Sequence, residues 1–163
     1  MIGIDTRGLE EWEAGQDTVR AGDICQRLPG TISPESSIQD AARQMRALRV
    51  GTLLVSDDSG HPRGILTSRD IVRRCVAAGR PARGTRVGDV MSRPALTIDE
   101  HASVEDALHT MGEAMVRRLI VVESEGRLTG LLTLDDIVDG VVGALLSTNG
   151  GPVSLRRHGH RPA

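Results

Sequence analysis

The sequence of 163 residues contains no lysine, no phenylalanine and no tyrosine, and Trp12 is its single aromatic residue. All 20 basic side chains are therefore arginines. The absence of lysine excludes Schiff-base chemistry and a phosphate-loop lysine. With Trp12 the single aromatic ring, the platforms on which single-stranded nucleic acid usually stacks are missing. No apolar run approaches the roughly 20 residues needed to span a bilayer. The first residues, MIGIDTRGLEEWEAGQD, are acidic where a secretory leader would be positive and then apolar. A cytoplasmic protein with no membrane partner is expected.

Cysteine is equally scarce. Cys25 and Cys75 lie far apart in the apolar contexts DICQRL and IVRRCVAA, which suits reduced, buried thiols. Neither has the Cys or His spacing of a zinc site. His61, His101 and His109 fall at positions that suit the surface, and His158 and His160 lie in a polar tail. No metal site is expected. There is no G-x-S-x-G elbow, and no set of residues with an acid, a base and a nucleophile in evident register. The expectation is a protein without catalytic residues or a catalytic cofactor. A formal charge of -2 leaves no global field to recruit nucleic acid.

What the chain does contain, it contains twice. GILTSRD at 64–70 and GLLTLDD at 130–136 are 66 positions apart, and a shift of 66 aligns 22–72 with 88–138 without a gap. About a third of the aligned positions are identical, the mark of an internal duplication. Within each copy the pattern reads strand, helix, strand, strand, helix. Ile38, Ala41, Ala42, Met45 and Leu48, matched by Val104, Ala107, Leu108 and Met111, follow helical spacing behind the N-cap residues Ser37 and Ser103. VGTLLV and RLIVV are β-branched or leucine-rich runs that pass through the turns SDDSG and ESEG into the return strands GIL and GLL. A second helix then buries Ile71, Val72, Cys75 and Val76, or Ile137, Val138, Val141, Val142 and Leu145.

The predicted fold is α+β: two βαββα repeats packed about a pseudo-twofold axis, since neither has enough core to stand alone. The expected organisation is an N-terminal extension at 1–21, repeat one at 22–80, a Gly/Pro/Arg-rich linker at 81–87, repeat two at 88–146, and a mobile tail at 147–163. The segment LEEWEAGQDTV is amphipathic, and either docks through Trp12 or frays.

Thr-x-x-Asp ahead of an apolar helix is a capping box in its aspartate form, which local geometry alone explains. A helix start reached from a strand also gathers free N–H groups, a hydroxyl and the positive dipole end, which favour phosphate. A carboxylate one turn in can accept from vicinal hydroxyls such as those of ribose.

These duplicated G-x-x-T-x-x-D elements, with VGDVMSRPALTI matching AGDICQRLPGTI and strands preceded by LRV or MVRR, resemble the tandem CBS-domain family. The resemblance covers residues 22 to about 146, or roughly three quarters of the chain. It implies a stand-alone regulatory pair with two clefts binding AMP, ADP, ATP or S-adenosylmethionine as an energy-sensing signal. It further implies a homodimer through the helices and an effector protein that the sequence does not name.

Carried over, the resemblance implies one cleft joining Thr67, Arg69 and Asp70 to Val116, Arg117 and Arg118. The other joins Thr133, Asp135 and Asp136 to Val50, Gly51 and Thr52. Three arginines would make the first the tighter nucleotide site. The alternative for those arginines is a solvated strand end or an ion pair with Asp70, Asp135 or Asp136. Val50, Val116, Met91 and PALT are implied as walls for the adenine, and suit the core equally well. The competing reading of the whole chain is a structural or protein-interaction module with empty clefts. Nucleic-acid binding through Arg73, Arg74, Arg80, Arg83 and Arg86 is a third, disfavoured by the acidic balance.

Overall fold

The computed structural model describes residues 19–27 and 30–147, so Trp12, its flanking segment and the C-terminal tail lie outside the described residues. The elements run α1 (Ala21–Ile24), β1 (Gln26–Arg27), β2 (Thr31–Ile32), α2 (Ile38–Leu48), β3 (Thr52–Ser56), β4 (Pro62–Thr67) and α3 (Ser68–Ile71), which continues as a π-helical turn over Val72–Val76. A 3-10 turn at Val87–Asp89 then leads to β5 (Thr97–Asp99), α4 (Val104–Glu113), β6 (Arg118–Val122), β7 (Leu128–Thr133) and α5 (Leu134–Ser147).

The hydroxyls of Ser37 and Ser103 open α2 and α4 by accepting from the Asp40 and Asp106 amides at 3.1 and 3.0 Å. Each helix then buries a narrow stripe: Ile38, Ala41 and Met45 in α2, Ala107 and Met111 in α4. Ala42, Leu48 and Leu108, expected inside, face outward instead. So do Val72, Val76 and Val138 of the following helices. The side chains of Val141, Val142 and Leu145 lie outside the described residues.

In β3 the consecutive residues Leu53, Leu54 and Val55 are all fully buried. Both faces of this sheet are covered, which is what an unbroken apolar run in a strand signals. Leu53 and Val55 join the core of the first copy, while Leu54 packs with Ile120 and Leu131. In β6 the matching residues Leu119 and Val121 serve the second core. Ile65 also borders the cluster shared by Leu54, Ile120 and Leu131, so matching residues of both copies meet there about a pseudo-twofold relation. The hairpin tips meet too: the Leu128 amide donates to the Gly60 carbonyl at 3.1 Å, and His61 contacts the Glu125 carbonyl at 3.3 Å.

One sheet has the order β2-β3-β4 and the other β1-β7-β6-β5. The strand that opens the first copy therefore lies in the sheet of the second: β1 is antiparallel to β7, with Gln26 opposite Leu131 and Arg27 opposite Gly130. The exchange is mutual. Ser92, which matches Gln26, bridges to Ile65 of β4 through two backbone hydrogen bonds of 2.8 and 3.1 Å. Just upstream, the amides of Ala21 and Gly22 donate to the Ala102 and Glu100 carbonyls, and those of Val87 and Gly88 donate to Ser36 and Pro34.

Glycine admits both strands. A Cβ on Gly64 would stand 2.5 Å from the Ser92 carbonyl oxygen, and one on Gly130 would stand 2.8 Å from Cys25 Sγ and from the Gln26 carbonyl oxygen. The arginine-rich linker is docked as well. Its Ala82 and Thr85 carbonyls accept from the Gln39 and Ile38 amides, satisfying donors that the start of α2 leaves without helical partners.

Candidate functional site

Thr67 and Thr133 end β4 and β7, and each caps the helix that follows. The Thr67 hydroxyl accepts from the Asp70 amide at 3.1 Å, while Asp70 Oδ2 accepts from the Thr67 amide at 3.0 Å and its hydroxyl at 2.6 Å. The second copy repeats this with Thr133 and Asp136 at 3.2, 2.8 and 2.6 Å. Local geometry thus consumes Oδ2 of each aspartate, and only Oδ1 can face anything else.

The strand start beside each turn comes from the same copy. Thr52 is the register partner of Thr67, and the Gly51 carbonyl accepts from the Ser68 amide at 3.0 Å. Arg118 is the register partner of Thr133, and the Arg117 carbonyl accepts from Leu134 at 3.1 Å. This corrects the expected grouping, which set Thr67, Arg69 and Asp70 beside Val116, Arg117 and Arg118, and Thr133, Asp135 and Asp136 beside Val50, Gly51 and Thr52. The physical reason is the hairpin itself: antiparallel pairing places the first residue of one strand against the last residue of its partner. The three arginines are therefore not gathered at one turn. Arg69 follows Thr67, while Arg117 and Arg118 stand beside Thr133, and the argument that ranked the first cleft as tighter loses its basis.

Arg117 Nη2 lies 3.5 Å from Asp135 Oδ1, both side chains largely in solvent, so the pair holds little energy. Val50 and Val116 are part-buried against the cores of their own copies, and Met91 is buried in the first core, its sulfur beside Gly64. Of the PALT segment, Ala95 borders the inter-sheet cluster and Leu96 the second core. Packing accounts for these walls without a ligand.

What the opposite copy supplies is its lead-in strand. Ser92 Oγ donates to Asp70 Oδ1 at 3.3 Å, and Gln26 Nε2 donates to Asp136 Oδ1 at 3.0 Å. These matched residues were not anticipated from the sequence, though their 66-residue offset pairs them. Arg74 adds a contact in the first copy only. Its Nη1 reaches the Val90 and Met91 carbonyls at 2.8 and 3.0 Å, Ser92 Oγ at 3.3 Å and Asp70 Oδ1 at 3.5 Å. Near Asp136, burial pushes the Cys25 thiol above its usual range, opposed by Arg27 and reinforced by Asp136 and Glu100. Cys25 is half-buried and Cys75 buried, both as free thiols.

Four of the five arginines offered for nucleic acid have partners within the chain: Arg74 as above, Arg80 with Asp89, Arg83 with Gln39 and Arg86 with Glu35. Among the described residues, no group of three or more His, Cys, Asp or Glu side chains is placed to hold a metal ion, and no helix is long and apolar enough to cross a membrane.

A family model for the CBS domain matches residues 21–77 and 87–143. An uncharacterized protein of Methanopyrus kandleri is 31% identical over 74% of the chain, which spans 62% of that relative's length. Among solved structures, Hypoxic Response Protein I with two coordinated zinc ions superposes with a TM-score of 0.65 at 31% identity, covering 74% of this chain and 97% of the other. CBSX2 in complex with AMP superposes with a TM-score of 0.63 at 25% identity, covering 77% and 98%.

Proposed function

The chain belongs to the CBS-domain family, and from that premise we propose that it is a regulatory module that binds an adenosine nucleotide between its two copies and passes the occupancy to a partner protein. The observation that carries this is the matched construction of the two turns. Each Thr-x-x-Asp box keeps one carboxylate oxygen for the cap and turns the other toward the lead-in strand of the opposite copy. A hydroxyl-rich ligand accepted there touches both copies at once, so its binding free energy is available to shift how they sit together. The AMP complex of CBSX2 supports an adenosine ligand, with AMP, ADP, ATP and S-adenosylmethionine as the set to test. The module acts without catalysis, in the cytoplasm, as a homodimer. Arg117 and Arg118 serve phosphate beside Thr133, and Arg69 is the arginine that follows Thr67. Val50, Gly51, Thr52 and Val116 border the two sites.

Titration calorimetry with the four ligands tests the reading. Binding tighter than about 1 mM, weakened at least tenfold (about 1.4 kcal/mol) by Asp136→Asn, is expected. If none of the four binds in that range, the clefts are empty and the chain is a structural or protein-interaction module. The completeness of the capping boxes, which need no ligand, favours that second reading.

A further inference from the structure

We infer that Arg74 is an internal occupant of the first copy's site, so that the chain takes one nucleotide, at the Thr133–Asp136 turn. This rests on the nucleotide reading above.

An ionised carboxylate offers about four acceptor positions. On Asp70 three are taken by hydrogen bonds, from the Thr67 amide and hydroxyl on Oδ2 and from Ser92 Oγ on Oδ1, and the Arg74 guanidinium forms an ion pair with Oδ1 at 3.5 Å. Its side chain is only 13% exposed. On Asp136 three are in use, and the third partner is Gln26, an exposed neutral amide that can swing into water without leaving a buried charge behind. Arg74 is also half-exposed, but more contacts hold it in place. The Val90 and Met91 carbonyls hold the same guanidinium nitrogen at 2.8 and 3.0 Å, so a ribose taking Asp70 Oδ1 must displace a cation that is anchored to the opposite copy. Charge-assisted bonds of this kind are about twice as strong as neutral ones.

The second copy has no equivalent. The position matching Arg74 is Gly140, where a Cβ would stand 3.0 Å from the Ile24 side chain, so the last residue of α1 packs into the space a side chain would need. The second copy also carries Arg117 and Arg118 where the first carries Gly51 and Thr52. The turn that is free to accept hydroxyls is thus the one with cations for phosphate.

Calorimetry of the full chain with AMP counts the sites. The parent takes one AMP per chain, and Arg74→Met, which keeps the apolar stem, takes two. Asp70→Asn added to Arg74→Met returns the count to one. Arg74→Gly, the residue of the second copy, serves as a second variant, and melting curves verify that each protein is folded. Two AMP per chain in the parent, or one in both folded Arg74 variants, overturns the inference while leaving nucleotide binding intact. No AMP bound by the parent or any variant overturns the nucleotide reading, and this inference with it.

Discussion

Gln26 Nε2 stands 3.0 Å from Asp136 Oδ1 although 110 positions separate the two residues. That hydrogen bond exists because the strand opening the first copy is built into the second copy's sheet, and Ser92 and Asp70 repeat the arrangement in reverse. Neither copy completes its sheet without backbone from the other, and the segments that lead into the two copies also bond the starts of the long helices: the Val104 amide donates to Val19, and the Ile38 amide to Thr85.

The copies should therefore unfold as one unit. Leu53→Ala in the first core and Leu132→Ala in the second, both at fully buried positions, are each expected to lower a single urea transition by about 2–5 kcal/mol. Circular dichroism and amide exchange in both sheets should report the same midpoint. Two separated transitions in either variant would show that the exchanged strands do not couple the copies.

Glycine makes a second prediction, with its own control. A methyl group at Gly64 collides with the Ser92 carbonyl and one at Gly130 with the Gln26 carbonyl and the Cys25 sulfur, so Gly64→Ala and Gly130→Ala are expected to cost about 1–3 kcal/mol. Gly112, inside α4, has nothing within 4 Å of the added atom. There Gly112→Ala should stabilise by about 0.5–1 kcal/mol, because the unfolded chain loses freedom and the helix does not. Equal effects at all three positions would refute the close approach.

Acid stability offers a third. The Ser103 hydroxyl first, then the Ser103 amide, hold the Asp106 carboxyl below its ordinary value of 3.8, with His109 adding to the shift. A carboxyl depressed in the folded state binds protons more readily when unfolded, so its contribution is present above the ordinary value and is lost as pH falls through the folded value. The urea midpoint of Ser103→Ala should lie below that of the parent by a constant gap at neutral pH, and the gap should narrow below 3.8. A gap that widens on acidification would contradict the assignment.

Much of this was legible in the sequence because local rules decided it. Ser37, Ser103, Thr67 and Thr133 cap helices since their hydroxyls sit three residues ahead of an amide that needs them, and that spacing is visible in one dimension. The regrouped arginines were legible in principle, because a hairpin fixes Arg118 opposite Thr133. The strand exchange was not. Backbone hydrogen bonds carry no residue code, and a two-residue strand such as Gln26–Arg27 has no periodicity to betray its partner. Its one trace is glycine at 64 and 130, matched positions where a close approach needs a missing side chain. The helices misled for a related reason. Val72, Val76 and Val138 lie on apolar stripes, and a stripe does not say whether its own core or another chain covers it.

That ambiguity leads to the last prediction. Val72 and Val138 occupy matching positions in the two copies and are 57% and 53% exposed, and Val76 beside them is 66% exposed. Single exposed apolar residues are ordinary on a protein surface, but a pair related by the duplication presents the same face twice. In the proposed homodimer a second chain covers both faces, and each valine that becomes fully buried contributes about 1.5–3 kcal/mol. Val72→Asp combined with Val138→Asp should shift the sedimentation coefficient from dimer to monomer and leave the circular dichroism spectrum unchanged, because neither side chain belongs to a core of its own chain. If the parent sediments as a monomer, or the double variant remains a dimer, association does not use these helices.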